Sequence, residues 1–151
     1  MSKNLVFPIE FTFRSAVKSD IPRIQELLRE TGLYFEPIDS RPDVYEKQLD
    51  HDPDSIMVAE YHNRIIGMQM FVYSPLYSVV FHLAVEPKYQ RLTLGTAIFT
   101  RVIGRIRQRG CCDIAGYVEE NNKASHGLCN RLGLKKYPTK LIARYMSFPD
   151  C

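Results

Sequence analysis

At 151 residues, 45% hydrophobic and 25% charged, the chain has the length of one ordinary domain and a globular rather than disordered composition. A net charge of +3 is too mild to argue for nucleic acid, and no apolar run approaches the roughly 20 residues that span a bilayer. The apolar run in "MSKNLVFPIEF" is too short for a secretion signal, and Cys111, Cys112, Cys129 and Cys151 lack the spacing of a metal site or disulfide framework, so the expectation is a cytoplasmic protein with reduced thiols, no metal and no membrane partner.

No repeat, low-complexity tract or linker divides the chain, which predicts one domain over residues 1–151. "EFTFRSAV" alternates as a first strand. "SDIPRIQELLRE" opens a helix with Ser19 or Asp20 as N-cap, Pro22 in its first turn, an apolar stripe of Ile21, Ile24, Leu27 and Leu28, and Gly32 as a left-handed cap. "RPDVYEKQLD" reads as a short second helix. "SIMVAEYHNRIIGMQMFVY" reads as a hairpin turning at His62-Asn63-Arg64, since Asn tolerates the left-handed conformation.

"LYSVVFHLAV" is the fourth strand, and strict alternation would put Phe81, Leu83 and Val85 on one face and His82 with Ala84 on the other. The helix after Gly95 sets Ile98, Val102, Ile103 and Ile106 against Arg101, Arg105 and Gln108. "CCDIAGYV" is a fifth strand, "NNKASHGLCNRLGL" a short helix carrying Ala124, Leu128 and Leu132, and "LIARYMSF" a last strand. The order β-α-α-β-β-β-α-β-α-β indicates an α/β (α+β) domain around one largely antiparallel sheet.

Charge is segregated along the chain. Acids dominate from Glu36 to Glu60, while Lys88, Arg91, Arg101, Arg105, Arg107 and Arg109 follow one another with no acid between. The expectation is either two solvated helix faces or one end that attracts anions and another that attracts cations.

The loop "VEPKYQRLTLGTA", between an apolar strand and a long helix, is the strongest local signal. A helix start presents unpaired N–H groups and partial positive charge, the ingredients of a phosphate site. Neither GxxxxGK[ST] nor GxGxxG occurs, which sets aside triphosphatase and dinucleotide loops.

Val85, Pro87, Tyr89, Gln90, Gly95 and Ala97 in this stretch resemble the signature of the GCN5-related N-acetyltransferases, the GNAT family. Asn122, Leu128, Leu132 and Gly133 resemble its downstream element, and the likeness runs from about Phe11 to Phe148. It implies a sheet splayed between its fourth and fifth strands and acetyl-CoA as co-substrate. The pantetheine arm is then expected along Leu83, Ala84 and Val85, and the pyrophosphate on the amides of Gln90, Arg91, Leu92, Thr93, Leu94, Gly95 and Thr96, with Asn122 contributing from the downstream element. Thr93 replaces the first glycine of the family loop, and its hydroxyl is expected to add a hydrogen bond.

The chemistry needs a base, because an amine arrives protonated. The family often draws a glutamate from the fourth strand; here that strand offers His82, with Glu86 in reserve. An imidazole titrates near neutrality and suits this work. Cys129 stands where many members carry the tyrosine that protonates the leaving thiolate; a thiol can donate that proton, and Tyr117, Tyr137 and Tyr145 are other candidates. Tyr34, Phe35, Glu36 and Asp39 form an aromatic and acidic wall suited to a cationic amine. The resemblance thus implies an N-acetyltransferase acting on a small-molecule or peptide amine; a homodimer would pair through exposed final strands. The alternative is a non-catalytic acyl-CoA sensor on the same scaffold.

Overall fold

The computed structural model describes residues 10–91 and 93–136; Leu92, Tyr137, Tyr145 and the expected last strand lie outside them. These residues fall into two compact units, one up to Tyr117 and one from Val118 onward.

The first unit contains β1 (Thr12–Ser15), α1 (Ile21–Glu30), α2 (Glu36–Asp39), α3 (Pro42–His51), β2 (Ile56–Tyr61), β3 (Arg64–Val72), β4 (Ser78–Val85), α4 (Leu94–Gln108) and β5 (Ile114–Gly116). The second contains α5 (Lys123–Arg131). The strands lie in the order β1-β2-β3-β4-β5, antiparallel except for the β4–β5 pair. This is the mixed, largely antiparallel sheet with flanking helices that the sequence predicts. No helix among the described residues is long and apolar enough to cross a membrane.

Each element forms for a local reason. α1 buries Ile21, Ile24, Leu27 and Leu28 at helical spacing and ends where Gly32 takes φ +72°. His62 and Asn63 both have positive φ, the two-residue pattern whose twist matches a β-hairpin, so β2 runs straight back into β3. β3 is buried over seven consecutive residues because helices cover both sides of it. On one side α1 and α3 pack Ile24, Leu28, Tyr45 and Leu49 against Val58, Met68, Met70 and Ala84. On the other lies α4, with Leu94, Ile98, Val102 and Ile106 buried. Gly67 permits that approach: a β-carbon there would stand 2.7 Å from Ile98 Cδ1 and 3.5 Å from Leu94 Cδ2.

Three expectations need correcting. The connection after α1 contains the extra one-turn helix α2. Its four residues are too few to show helical periodicity in sequence.

The second correction concerns charge. The acidic stretch and the arginine helix do not form two opposed poles. Arg109 at the end of α4 grips Asp52 through two bonds of 2.7 and 2.8 Å, Arg105 donates to the Asp54 carbonyl, and Arg101 stacks 3.7 Å over the Phe13 ring. The Arg109 guanidinium holds the Asp52 carboxyl below the usual carboxylate range against the opposing effect of burial.

The third concerns β4, whose alternation is broken. Met68 pairs with Ala84 and Met70 with Phe81, so His82 and Leu83 together oppose the single residue Gln69. This is a β-bulge, with His82 at φ +52°. Phe81 and Ala84 therefore share the face covered by α1 and α3, and Val85, opposite Gly67, lies on the α4 face.

Candidate active site

β5 accompanies β4 only at Ser78, Val79 and Val80. Among the described residues no strand continues on the β5 side of Phe81–Val85, so among them that edge of β4 is open beyond Val80. The half-buried Leu83, the buried Ala84 and the half-buried Val85 stand on this open half of β4. Val85 leads into the loop, and its carbonyl accepts a 2.9 Å bond from the Gln90 side chain.

In the loop Arg91 and Thr93 both adopt left-handed conformations, with φ +66° and +62°. Thr93 is followed by right-handed Leu94, and a left-then-right pair turns N–H groups towards a common point, the geometry of an anion nest. The N–H groups of Leu94, Gly95 and Thr96 follow. They lie in the first turn of α4 and have no acceptor within it; the first helical bond runs from Ala97 N–H to the Thr93 carbonyl at 3.0 Å. No acid occupies that turn. The loop thus offers amides and helix field to an anion, with exposed Arg91 beside them.

A β-branched residue at positive φ is strained by about 1–2 kcal/mol, and Thr93 occupies such a position. Thr93→Gly is expected to relieve this, with part of the gain lost to glycine's unfolded-state entropy. The predicted net gain is about 1 kcal/mol, seen as a rise of about 2–4 °C in Tm in a thermal melt. An unchanged or lower Tm would show that the loop needs the threonine side chain.

At the other end of the open edge stands His82. Its Nε2 lies 3.4 Å from Asp39 Oδ2, and its ring meets Phe81 edge-on at 5.3 Å. Asp39 is only 1% exposed, yet it is well supplied with donors. The Tyr45 hydroxyl donates to Oδ1 at 2.6 Å and the Phe35 amide donates to Oδ2 at 2.6 Å. Burial alone would push this carboxyl up; hydrogen bonds from His82, Tyr45 and the Phe35 amide outweigh it and hold the group below its ordinary value. Burial and the neighbouring carboxylate push the Tyr45 phenol well up, so Tyr45 stays a neutral donor.

Of the four residues expected to wall the acceptor, Phe35 and Glu36 are exposed. Tyr34 is half-buried against the core, its ring 4.2 Å beneath the Arg29 guanidinium and its hydroxyl accepting from Arg29 at 2.9 Å. Asp39 faces inward and does not present its carboxylate to solvent. Glu86 accepts from Arg23 at 2.8 Å and from Arg64 at 3.3 Å, which ties the end of β4 to α1 and the start of β3.

Within the second unit, Asn122 spends its side-chain oxygen capping α5, accepting from Ser125 N–H at 3.1 Å. Burial raises the pKa of the half-buried Cys129 thiol above its ordinary value. Tyr117 is 71% exposed at the end of the first unit.

Sequence reasoning missed Tyr45 and the inward turn of Asp39. A signal existed for the tyrosine: it shares the buried stripe of α3 with Leu49, and a buried phenol needs a partner. It also missed Gln69, the β3 residue opposite the bulge, which is 2% exposed and whose Oε1 has no partner among the described residues.

Comparisons with known proteins agree with this fold. The sequence model described as "Acetyltransferase (GNAT) family" matches residues 21–134. An acetyltransferase of Photorhabdus laumondii is 28% identical over 115 residues, which cover 76% of this chain and 80% of that protein. Diaminobutyrate acetyltransferase EctA from Paenibacillus lautus, solved with L-2,4-diaminobutyric acid and coenzyme A, is 26% identical with a TM-score of 0.72, covering 82% of this chain and 75% of that one. PaiA N-acetyltransferase from Thermoplasma acidophilum, solved with coenzyme A, shares the fold at a TM-score of 0.75 and 15% identity, over 87% of this chain and 94% of the other.

Proposed function

The chain belongs to the acetyltransferase (GNAT) family, and from that membership we propose that it moves the acetyl group of acetyl-CoA directly to the amine of a cationic acceptor, with His82 as base. The observation that carries this reading is the open half of β4, which has an amide-rich loop and helix start at one end and the bulged His82 along its length. A long, thin ligand with an anionic end fits such a gap. On this reading Leu83, Ala84 and Val85 hold the pantetheine arm and the amides from Gln90 to Thr96 hold the pyrophosphate. Charge-assisted bonds to backbone N–H groups are roughly twice as strong as neutral ones.

Acetyl-CoA supplies an activated acetyl group whose thioester carbon is the electrophile. His82 takes one proton from the acceptor's ammonium and passes it to solvent, which leaves a neutral nitrogen able to attack. A backbone N–H of β4 polarises the thioester carbonyl. The second proton, shed by the nitrogen as the amide forms, replaces the carbon–sulfur bond on the departing sulfur. From the family resemblance, Cys129 is the proposed relay in that exchange, giving its thiol proton to the sulfur and taking the nitrogen's in return; burial raises its pKa, so the thiol is protonated at neutral pH, the state a donor needs and the wrong state for an acyl carrier. Glu86 is the weaker choice of base because Arg23 and Arg64 already engage its carboxylate.

Exposed Phe35 and Glu36 support a cationic acceptor with some apolar surface. The catalytic reading outranks a non-catalytic sensor because relatives that match most of the chain are acetyltransferases by name. The cytoplasm, where acetyl-CoA is made and thiols stay reduced, is the compartment that suits it.

Calorimetric titration with acetyl-CoA, run on wild type and Gly95→Glu, tests the cofactor assignment. A glutamate in the first turn of α4 favours the helix through its dipole, so the variant should fold. Its charge would face the pyrophosphate, and affinity is expected to fall at least about 100-fold, a coupling of about 3 kcal/mol. Equal affinities would remove the pyrophosphate from this loop. Release of free coenzyme A across a panel of amines then identifies the acceptor class, and cationic amines are expected to lead it.

A further inference from the structure

His82 alone does not specify which of its two ring nitrogens does the work. We infer that Asp39 is a positioning residue for this reaction: from α2 it fixes the imidazole of His82 with its proton on Nε2, and so makes Nδ1 the atom that receives the acceptor's proton. The inference deepens the assignment of His82 as base and rests on it.

The geometry is one-sided. Asp39 Oδ2 stands 3.4 Å from Nε2, long for a neutral hydrogen bond but within ion-pair reach. An ionised carboxylate has only lone pairs to offer, so the facing nitrogen must carry hydrogen. The carboxylate cannot swing away to another task. It is 1% exposed, and the Tyr45 hydroxyl from α3 and the Phe35 amide each hold one of its oxygens at 2.6 Å.

His82 is also constrained by its backbone. The bulge places it at φ +52°, out of the strand's alternation, and its ring comes to the α2 side of the sheet. An unbulged β4 would have sent neighbouring side chains to opposite faces. The bulge and the buried acid therefore act on the same residue, one setting where the ring goes and the other setting which nitrogen is bare.

When His82 gains a proton, the resulting imidazolium lies beside a full negative charge in a poorly solvated setting. That stabilises the charge developing in the proton-transfer step more than it stabilises the neutral ring. A tie that merely braced α2 would carry no such preference.

Nitrogen-15 NMR of the histidine rings, with kinetics on Asp39→Asn and Tyr45→Phe, tests this. In wild type, His82 is expected to show the Nε2–H tautomer, and finding the Nδ1–H form would overturn the inference without any variant. Asp39→Asn is nearly isosteric and keeps an acceptor for the Phe35 amide. It removes the charge but leaves the oxygen that faces Nε2, so it is expected to lower kcat about 10- to 100-fold with the KM for acetyl-CoA within about twofold and His82 still in the Nε2–H form, whereas Asp39→Ala, with no oxygen there, is expected to give mixed tautomers. Tyr45→Phe leaves the carboxylate in place but less firmly held, with a several-fold loss in kcat. Unchanged kcat in a folded Asp39→Asn protein, or the same His82 tautomer in wild type and Asp39→Ala, would reduce Asp39 to a structural tie. If His82→Asn itself keeps wild-type kcat, the base assignment fails, and this inference fails with it.

Discussion

His82→Asn is expected to lower kcat by about 100- to 10,000-fold while acetyl-CoA still binds within about twofold of wild type, since a positioned general base contributes that range. The choice of asparagine matters. Residue 82 sits at φ +52°, and asparagine, like histidine, tolerates the left-handed region far better than most side chains. The bulge should survive, so the loss reads chemistry rather than a collapsed strand. Single-turnover measurement of free coenzyme A release with a cationic amine checks it. A fall in acetyl-CoA affinity as large as the fall in kcat would instead assign His82 to ligand binding. Wild-type turnover would move the base elsewhere and bring Glu86 back into consideration despite its two arginine partners.

Gly67→Val is expected to have the largest effect on the scaffold. Position 67 is the point where β3 touches α4, and a β-carbon there already meets Ile98 Cδ1 at 2.7 Å. Ile98 is wholly buried and Leu94 nearly so, so any shift must be taken up within the packed core. Overpacking of this kind costs about 1–3 kcal/mol, and valine's extra methyls place the estimate at the upper end. Because Leu94 opens α4, relief comes most easily by lifting the helix start away from the sheet, which would displace the amides that follow Thr93. The expected result is a Tm lower by about 5–10 °C and acetyl-CoA affinity weakened at least about tenfold. Gly67→Ala should do less, since the clash falls on the tip of one side chain that can rotate. Intact affinity in a destabilised Gly67→Val protein would separate the loop from the helix packing beneath it.

Elements governed by local rules were legible in the sequence: the α1 stripe, the His62-Asn63 turn and the run of β4 into a helix each appear where expected. Pairing between distant segments was not. Nothing in "VVFHLAV" reveals that two of its residues oppose one residue of β3, because a bulge exists only in relation to a partner strand. The same limit hid the meeting of Asp39 with His82 and of Asp52 with Arg109. Runs of like charge along a chain report composition. Their effect depends on which turns of helix the fold sets side by side, and here it placed part of the acidic stretch against the end of the basic helix.

The half-paired fourth strand has a consequence for solubility. Among the described residues its β5 neighbour stops at Val80, and an edge left open in that way presents main-chain donors and acceptors that another molecule's strand can zip onto, the usual route from an open sheet edge to aggregation. Straight, flat edges are the dangerous ones. The extra residue at His82 bends and twists this edge so that an incoming strand cannot keep register along it. The irregularity that sets the His82 ring beside Asp39 therefore also discourages unwanted self-assembly, and a variant that straightened β4 by deleting a residue there would be exposed on both counts.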